Sequence, residues 1–150
     1  VKKLTYSAAA CALALVMLST APAHAGPVGP AEECGGSGQV SAFRVSGHTE
    51  TDAGPVTLDV GQTTRFELDF RPARSHAATE LHVRTEGTFG RFAYTRGAVG
   101  AVTAGELYTV AYEMAPPPLL AGQNVDVSIH VTGDNNTLEA CVQLDVRIVG

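Results

Sequence analysis

The chain closes on LEACVQLDVRIVG, Leu138–Gly150. Leu138, Ala140, Val142, Leu144, Val146 and Ile148 alternate there with Glu139, Cys141, Gln143, Asp145 and Arg147. Successive side chains of a strand point to opposite faces. A period of two therefore sets the first group against a core and the second toward water. The same alternation recurs upstream. TRFELDF (Thr64–Phe70) opposes Phe66, Leu68 and Phe70 to Arg65, Glu67 and Asp69. LYTVAYEM (Leu107–Met114) lines up Tyr108, Val110, Tyr112 and Met114, and NVDVSIHV (Asn124–Val131) lines up Val125, Val127, Ile129 and Val131. ELHVRTE (Glu80–Glu86) turns Leu81 and Val83 inward and His82 and Arg84 outward. RFAYT (Arg91–Thr95) pairs Phe92 with Tyr94 on the inner face, and QVSAFRV (Gln39–Val45) completes the set. Turn-forming clusters such as DAGP, TRGAVG, APPP and TGDNN separate these runs, and no stretch sustains a helical period. About seven short strands at regular spacing predict an all-β, two-sheet antiparallel sandwich. The run Ala98–Val102 is broken by glycine and reads as a loop.

Residues 1–25 read as a cleaved secretory signal peptide, with Lys2 and Lys3 ahead of the apolar run Ala8–Leu18 and a small-residue site at Ala23-His24-Ala25. That run is shorter than the roughly 20 residues a permanent membrane helix needs. No later run reaches that length, so no integral membrane segment is expected after cleavage, and the expected destination is extracellular. Residues 26–38 are rich in Gly, Pro and Glu and read as an irregular segment, leaving 39–150 as the sandwich domain. Beyond the signal there is no lysine, and eight arginines face fifteen carboxylates. A formal balance of −7 lacks the clustered positive charge that phosphate backbones require, which argues against nucleic acid as a partner.

Cys11 leaves with the signal, so Cys34 and Cys141 remain. Two cysteines in an exported chain suggest one disulfide. Parity agrees, because Cys141 shares its face with polar neighbours rather than with Val142 and Leu144. Closing so long a loop adds on the order of 4–5 kcal/mol in the chain-entropy account.

Little in the sequence points to catalysis or metal binding. His48, His76, His82 and His130 show no close ligand spacing, although His82 and His130 fall on the wet faces of their strands. No nucleophile motif of the G-x-S-x-G type occurs, and Glu67 with Asp69 reads as a solvated pair. NNT at Asn135–Thr137 fits an N-glycosylation pattern and fits a turn equally well. No catalytic residue, metal site or cofactor is expected.

The order of features is informative. ECGG near the start of the mature chain is followed by LDVGQTTRFELDF, then by GELYTVAYEM with its prolines, then by VDVSIHVTGDNNTLEACVQLDVRIV. This series resembles the ML (MD-two-related lipid-recognition) family, most of all its Niemann–Pick type C-like secreted sterol-binding members, from Cys34 to Val149. The resemblance implies an immunoglobulin-like sandwich with a first-to-last bridge between Cys34 and Cys141. It also implies an apolar lipid (sterol, fatty acyl chain or glycolipid) held between the sheets without chemistry. Phe66, Phe70, Phe92, Tyr94, Val102, Tyr108, Val110, Ile129 and Val131 would line or gate that site. A membrane or another protein would serve as acceptor. Two further bridges usual in the family have no counterpart in DAGPVTL (Asp52–Leu58) or TRGAVGAVTAG (Thr95–Gly105). The second region lies where the family's entrance commonly is, and a looser or differently shaped loop is expected there. The alternative is a structural or adhesive sandwich with a filled core and protein partners.

Overall fold

A computed structural model of the chain describes residues 31–48 and 54–150. The signal-peptide reading falls outside the described residues. Nine strands run in the order β1 (Glu32–Gly35), β2 (Gln39–Val45), β3 (Val56–Asp59), β4 (Thr64–Arg71), β5 (Glu80–Gly87), β6 (Gly90–Ala98), β7 (Tyr108–Met114), β8 (Asn124–Thr132) and β9 (Leu138–Val149). Short 3-10 turns at Pro118–Leu120 and Asp134–Asn136 precede β8 and β9. The larger sheet has the order β1-β9-β8-β5-β6, with β3 also on β9, and the smaller has β2-β4-β7. The fold is thus the all-β, two-sheet sandwich expected from the alternation.

Seven strands coincide with the seven alternating runs. The other two correct the sequence reading. Glu32–Gly35 is not irregular: it pairs antiparallel with β9, Glu33 opposite Val142 and Gly35 opposite Cys141. Val56–Asp59 pairs with β9 in parallel, Val56 opposite Val146 and Leu58 opposite Ile148, so the sheets are not wholly antiparallel. Both strands have four residues, too short to establish a period.

The inward sides of the two sheets meet in one apolar cluster that includes Phe43, Phe66, Leu68, Phe70, Leu81, Val83, Val110, Val127, Ile129, Val131, Val142, Leu144, Val146 and Ile148. Each fully buried side chain of this kind contributes about 1.5–3 kcal/mol. Phe66 faces Tyr112, and Phe70 faces Tyr108, across β4 and β7. Their rings pack tilted at centroid distances of 6.5 and 6.0 Å.

Parity fails at Glu139 and Tyr94, and burial departs from it at Asp69. Glu139, expected in water, is 0% exposed. The β8–β9 register jumps from Val131↔Ala140 to Thr132↔Leu138, so Glu139 is the extra residue of a bulge and turns toward protein. Tyr94, expected inside, is 48% exposed. A bulge in β5–β6 passes from Ala93↔Thr85 to Arg91↔Glu86, which leaves Phe92 as the extra residue and sends Tyr94 outward opposite Arg84. Asp69 keeps its outward parity yet is buried, because Arg44 clamps both its oxygens at 2.6 and 2.9 Å and Thr109 donates to it.

Candidate functional site

Eight of the nine residues expected around an interior site lie in the core or against it. Phe66, Phe70, Val110, Ile129 and Val131 sit deep in the cluster. Tyr108 caps it at one end, its hydroxyl accepting from the Thr103 N–H at 2.8 Å and donating to Glu106 at 3.0 Å. Val102 is buried in the β6–β7 connection and exchanges both backbone hydrogen bonds with His76. Phe92 is half-buried against the cluster. Tyr94 does not join them. It lies on the outer face of the larger sheet, where its hydroxyl meets His82 Nδ1 and Arg91 stands over its ring at 5.7 Å.

Tyr112 and Met114 also pack half-buried on the core. Their alternation with Tyr108 and Val110 is the signal in the sequence that places them on the inward face. With Phe92 they line a seam between β6 and β7, the two strands at the free edges of their sheets on this side. One long contact crosses it, Thr95 Oγ1 to Tyr112 Oη at 3.5 Å, and another joins β5 to β7 behind it, Thr85 Oγ1 to Met114 Sδ at 3.9 Å. Phe92 lies over Gly87. A Cβ on Gly87 would come within 2.3 Å of the ring, so the close approach depends on glycine there. Phe89 is 83% exposed at the tip of the same hairpin, and Leu119 is 72% exposed on the β7–β8 connection.

The opposite end is tied by polar groups. The Asp134 backbone N–H donates to His76 Nδ1 at 3.0 Å, which places the ring proton on Nε2. Nε2 then donates to Glu139 Oε1 at 2.7 Å, while the Ala73 N–H donates to Oε2 at 2.7 Å. Asp134 accepts from the N–H groups of Ala77 and Ala78, and those bonds hold its carboxyl below the ordinary range. The Thr95–Gly105 region is anchored by hydrogen bonds in place of a bridge. Ser75 accepts from the Ala104 N–H, Pro72 from the Gly105 N–H, and Gly105 from Arg71.

Cys34 and Cys141 are disulfide-bonded, with Cα atoms 4.9 Å apart. Cys141 faces outward as parity required, but it is buried, with β1 paired beside it and Cys34 bonded to it. On the same face a shallow polar cleft of about 210 Å³ is lined by both cysteines with Arg84, Glu86, Asp126, Ser128, His130 and Gln143. His82 and His130 are direct partners across β5 and β8. Burial, then the cation of Arg84, depresses His130 below its ordinary value. No helix among the described residues is long and apolar enough to cross a membrane.

No family model matches the sequence, and no curated protein matches it significantly. Solved structures do match the fold. The chain folds like a Niemann–Pick type C2 protein. That structure, from the Japanese carpenter ant, superposes with a TM-score of 0.64 at 10% identity, over 78% of this chain and 97% of the ant protein. The C-terminal domain of wzt matches at 0.59 and 12% identity, over 79% of each chain. Chicken MD-1, solved in complex with lipid IVa, matches at 0.53 and 9% identity, over 78% of this chain and 86% of its own. The likeness is one of fold.

Proposed function

We propose that this chain is a non-enzymatic carrier that takes an apolar ligand between its two sheets through the β6–β7 seam. The observation that carries the reading is the seam itself. Phe92, Tyr112 and Met114 present apolar surface that is half covered and continuous with the core. The chain also shares its fold with an MD-1 that was solved in complex with lipid IVa. A sterol, fatty acyl chain or glycolipid is the ligand class. Removing its apolar surface from water supplies about 25 cal/mol per Å², less the cost of ordering. Part of that free energy would separate β6 from β7, because the side chains behind the seam are packed together. Phe66, Phe70, Val110, Ile129 and Val131 would then form the walls. Export to an oxidising compartment accords with the Cys34–Cys141 bridge.

A second reading draws on the exposure of those same walls. Phe66, Val110, Ile129 and Val131 are each at most 2% exposed, as in a permanently filled sandwich whose partners bind outside. Native mass spectrometry of the protein from its source separates the two. A lipid-sized mass adduct lost on denaturation is expected, together with uptake of a fluorescent sterol or fatty acid. Repeated isolation of empty protein that takes up neither probe would leave only the filled sandwich.

A further inference from the structure

The outer face of the larger sheet carries a group of side chains that the interior site does not use. Cys141 on β9 stands directly opposite His130 on β8, and β1 brings Cys34 over the same point. The two sulfurs and a ring nitrogen of His130 all lie within 4.8 Å of one another. We propose that Cys34, Cys141 and His130 form a zinc(II) site that becomes available when the disulfide is reduced.

The chemistry follows from these residue types. Zinc takes thiolate and imidazole ligands at about 2.3 and 2.0–2.1 Å in a tetrahedral arrangement. Two sulfurs on one zinc therefore sit within about 4 Å of each other. A pair of cysteines whose Cα atoms are 4.9 Å apart reaches that spacing with small side-chain rotations. Reduction is a two-electron step. Two equivalents of a thiol reductant become one disulfide, the Cys34–Cys141 bond breaks, and each cysteine sulfur receives a proton. Zinc then displaces those two protons as it binds the thiolates. His130 is placed to be the third ligand, because it stands opposite Cys141 and a nitrogen of its ring lies within 4.8 Å of both sulfurs. The fourth position faces the cleft of about 210 Å³, between Arg84, Asp126, Ser128 and Gln143. Three protein ligands and one open position are the pattern of a zinc centre that binds a small exogenous group.

Cobalt(II), a spectroscopic substitute for zinc, provides the test. The full chain is reduced with a phosphine and titrated anaerobically. One cobalt per chain should bind, with a sulfur-to-cobalt charge-transfer band and visible bands of tetrahedral intensity, and zinc should displace it. The oxidised chain should show neither band. Reduced His130→Ala should bind at least about tenfold more weakly. Circular dichroism follows folding throughout. If reduction unfolds the chain, zinc should refold the wild type and fail to refold His130→Ala. A reduced wild type with no charge-transfer band, zinc that neither binds nor refolds it, or a His130→Ala variant that matches wild type would each overturn the proposal.

Discussion

Where β4 leads into β5, polar groups close the sandwich; where β5 turns into β6, apolar side chains close it, and incompletely. At the first end His76, Glu139, Asp134 and the backbone of Ala73, Ala77 and Ala78 join the β4–β5 and β8–β9 connections to β9 in one hydrogen-bonded corner. At the second, Phe92 and Met114 lie half-buried, with Phe89 and Leu119 in solvent nearby. Buried hydrogen bonds are directional and costly to leave unmade, so they fix one geometry. Apolar contacts are non-directional and can be exchanged for contacts with another apolar body. On the proposed function, the polar corner would be the fixed end about which the seam parts.

The largest expected effect lies beside the fixed end. Replacing both Cys34 and Cys141 with alanine should cost about 3–5 kcal/mol in urea unfolding, since the bridge spans 107 residues. A loss below 1 kcal/mol would mean that β1 pairing alone holds that corner. Next, Glu139→Ala should cost about 3 kcal/mol, because it leaves the buried His76 Nε2–H without an acceptor and also removes the acceptor of the Ala73 N–H. Glu139→Gln keeps one acceptor oxygen and should cost less. At the open end, Phe92→Ala should cost about 1–2 kcal/mol, in keeping with its partial burial. It should also change lipid uptake more than Glu139→Ala does, as read by fluorescent-probe titration. If instead Phe92→Ala unfolds the protein and Glu139→Ala is silent, the two ends have been assigned the wrong way round.

The smallest effect is electrostatic. Glu86, Asp126 and Asp145 stand side by side across β5, β8 and β9. Burial raises Asp126 above its ordinary value of 3.8, and Asp145 and Glu86 add to the shift. A carboxyl whose folded pKa exceeds its unfolded one holds its proton more tightly when folded. Its contribution is therefore present below pH 3.8 and is lost as pH rises through the raised value. Asp126→Asn should stabilise the protein at pH 7 by a few tenths of a kcal/mol, screened as it is by solvent, and the gain should vanish at pH 3. A pH-independent difference in melting would remove the like-charge explanation.

The alternating runs were legible because a half-buried strand shows period two directly, most clearly in β4, β5 and β8. Short β1 and β3 were not, since EECG and VTLD are too brief to show any period. Tyr94 and Glu139 were misplaced for one shared reason. Each lies at or next to a bulge, and a single extra residue reverses parity without leaving a mark in composition. The outward position of Cys141 was legible, and its pairing with Cys34 followed. The nearness of His130 was not, because it depends on the β8–β9 register.

One edge of β9 is shared by two short strands. β1 covers Cys141–Gln143 in antiparallel fashion, and β3 covers Val146–Val149 in parallel. A twelve-residue strand rich in valine, with an open row of backbone donors and acceptors, would be a template for another chain of its kind. Two four-residue caps prevent this, and the Cys34–Cys141 bond retains one of them. The bridge would therefore guard against self-association as well as unfolding. When β1 is released, the Cys141–Gln143 edge is unguarded, and the protein would begin to self-associate there while the rest of the sandwich is still folded.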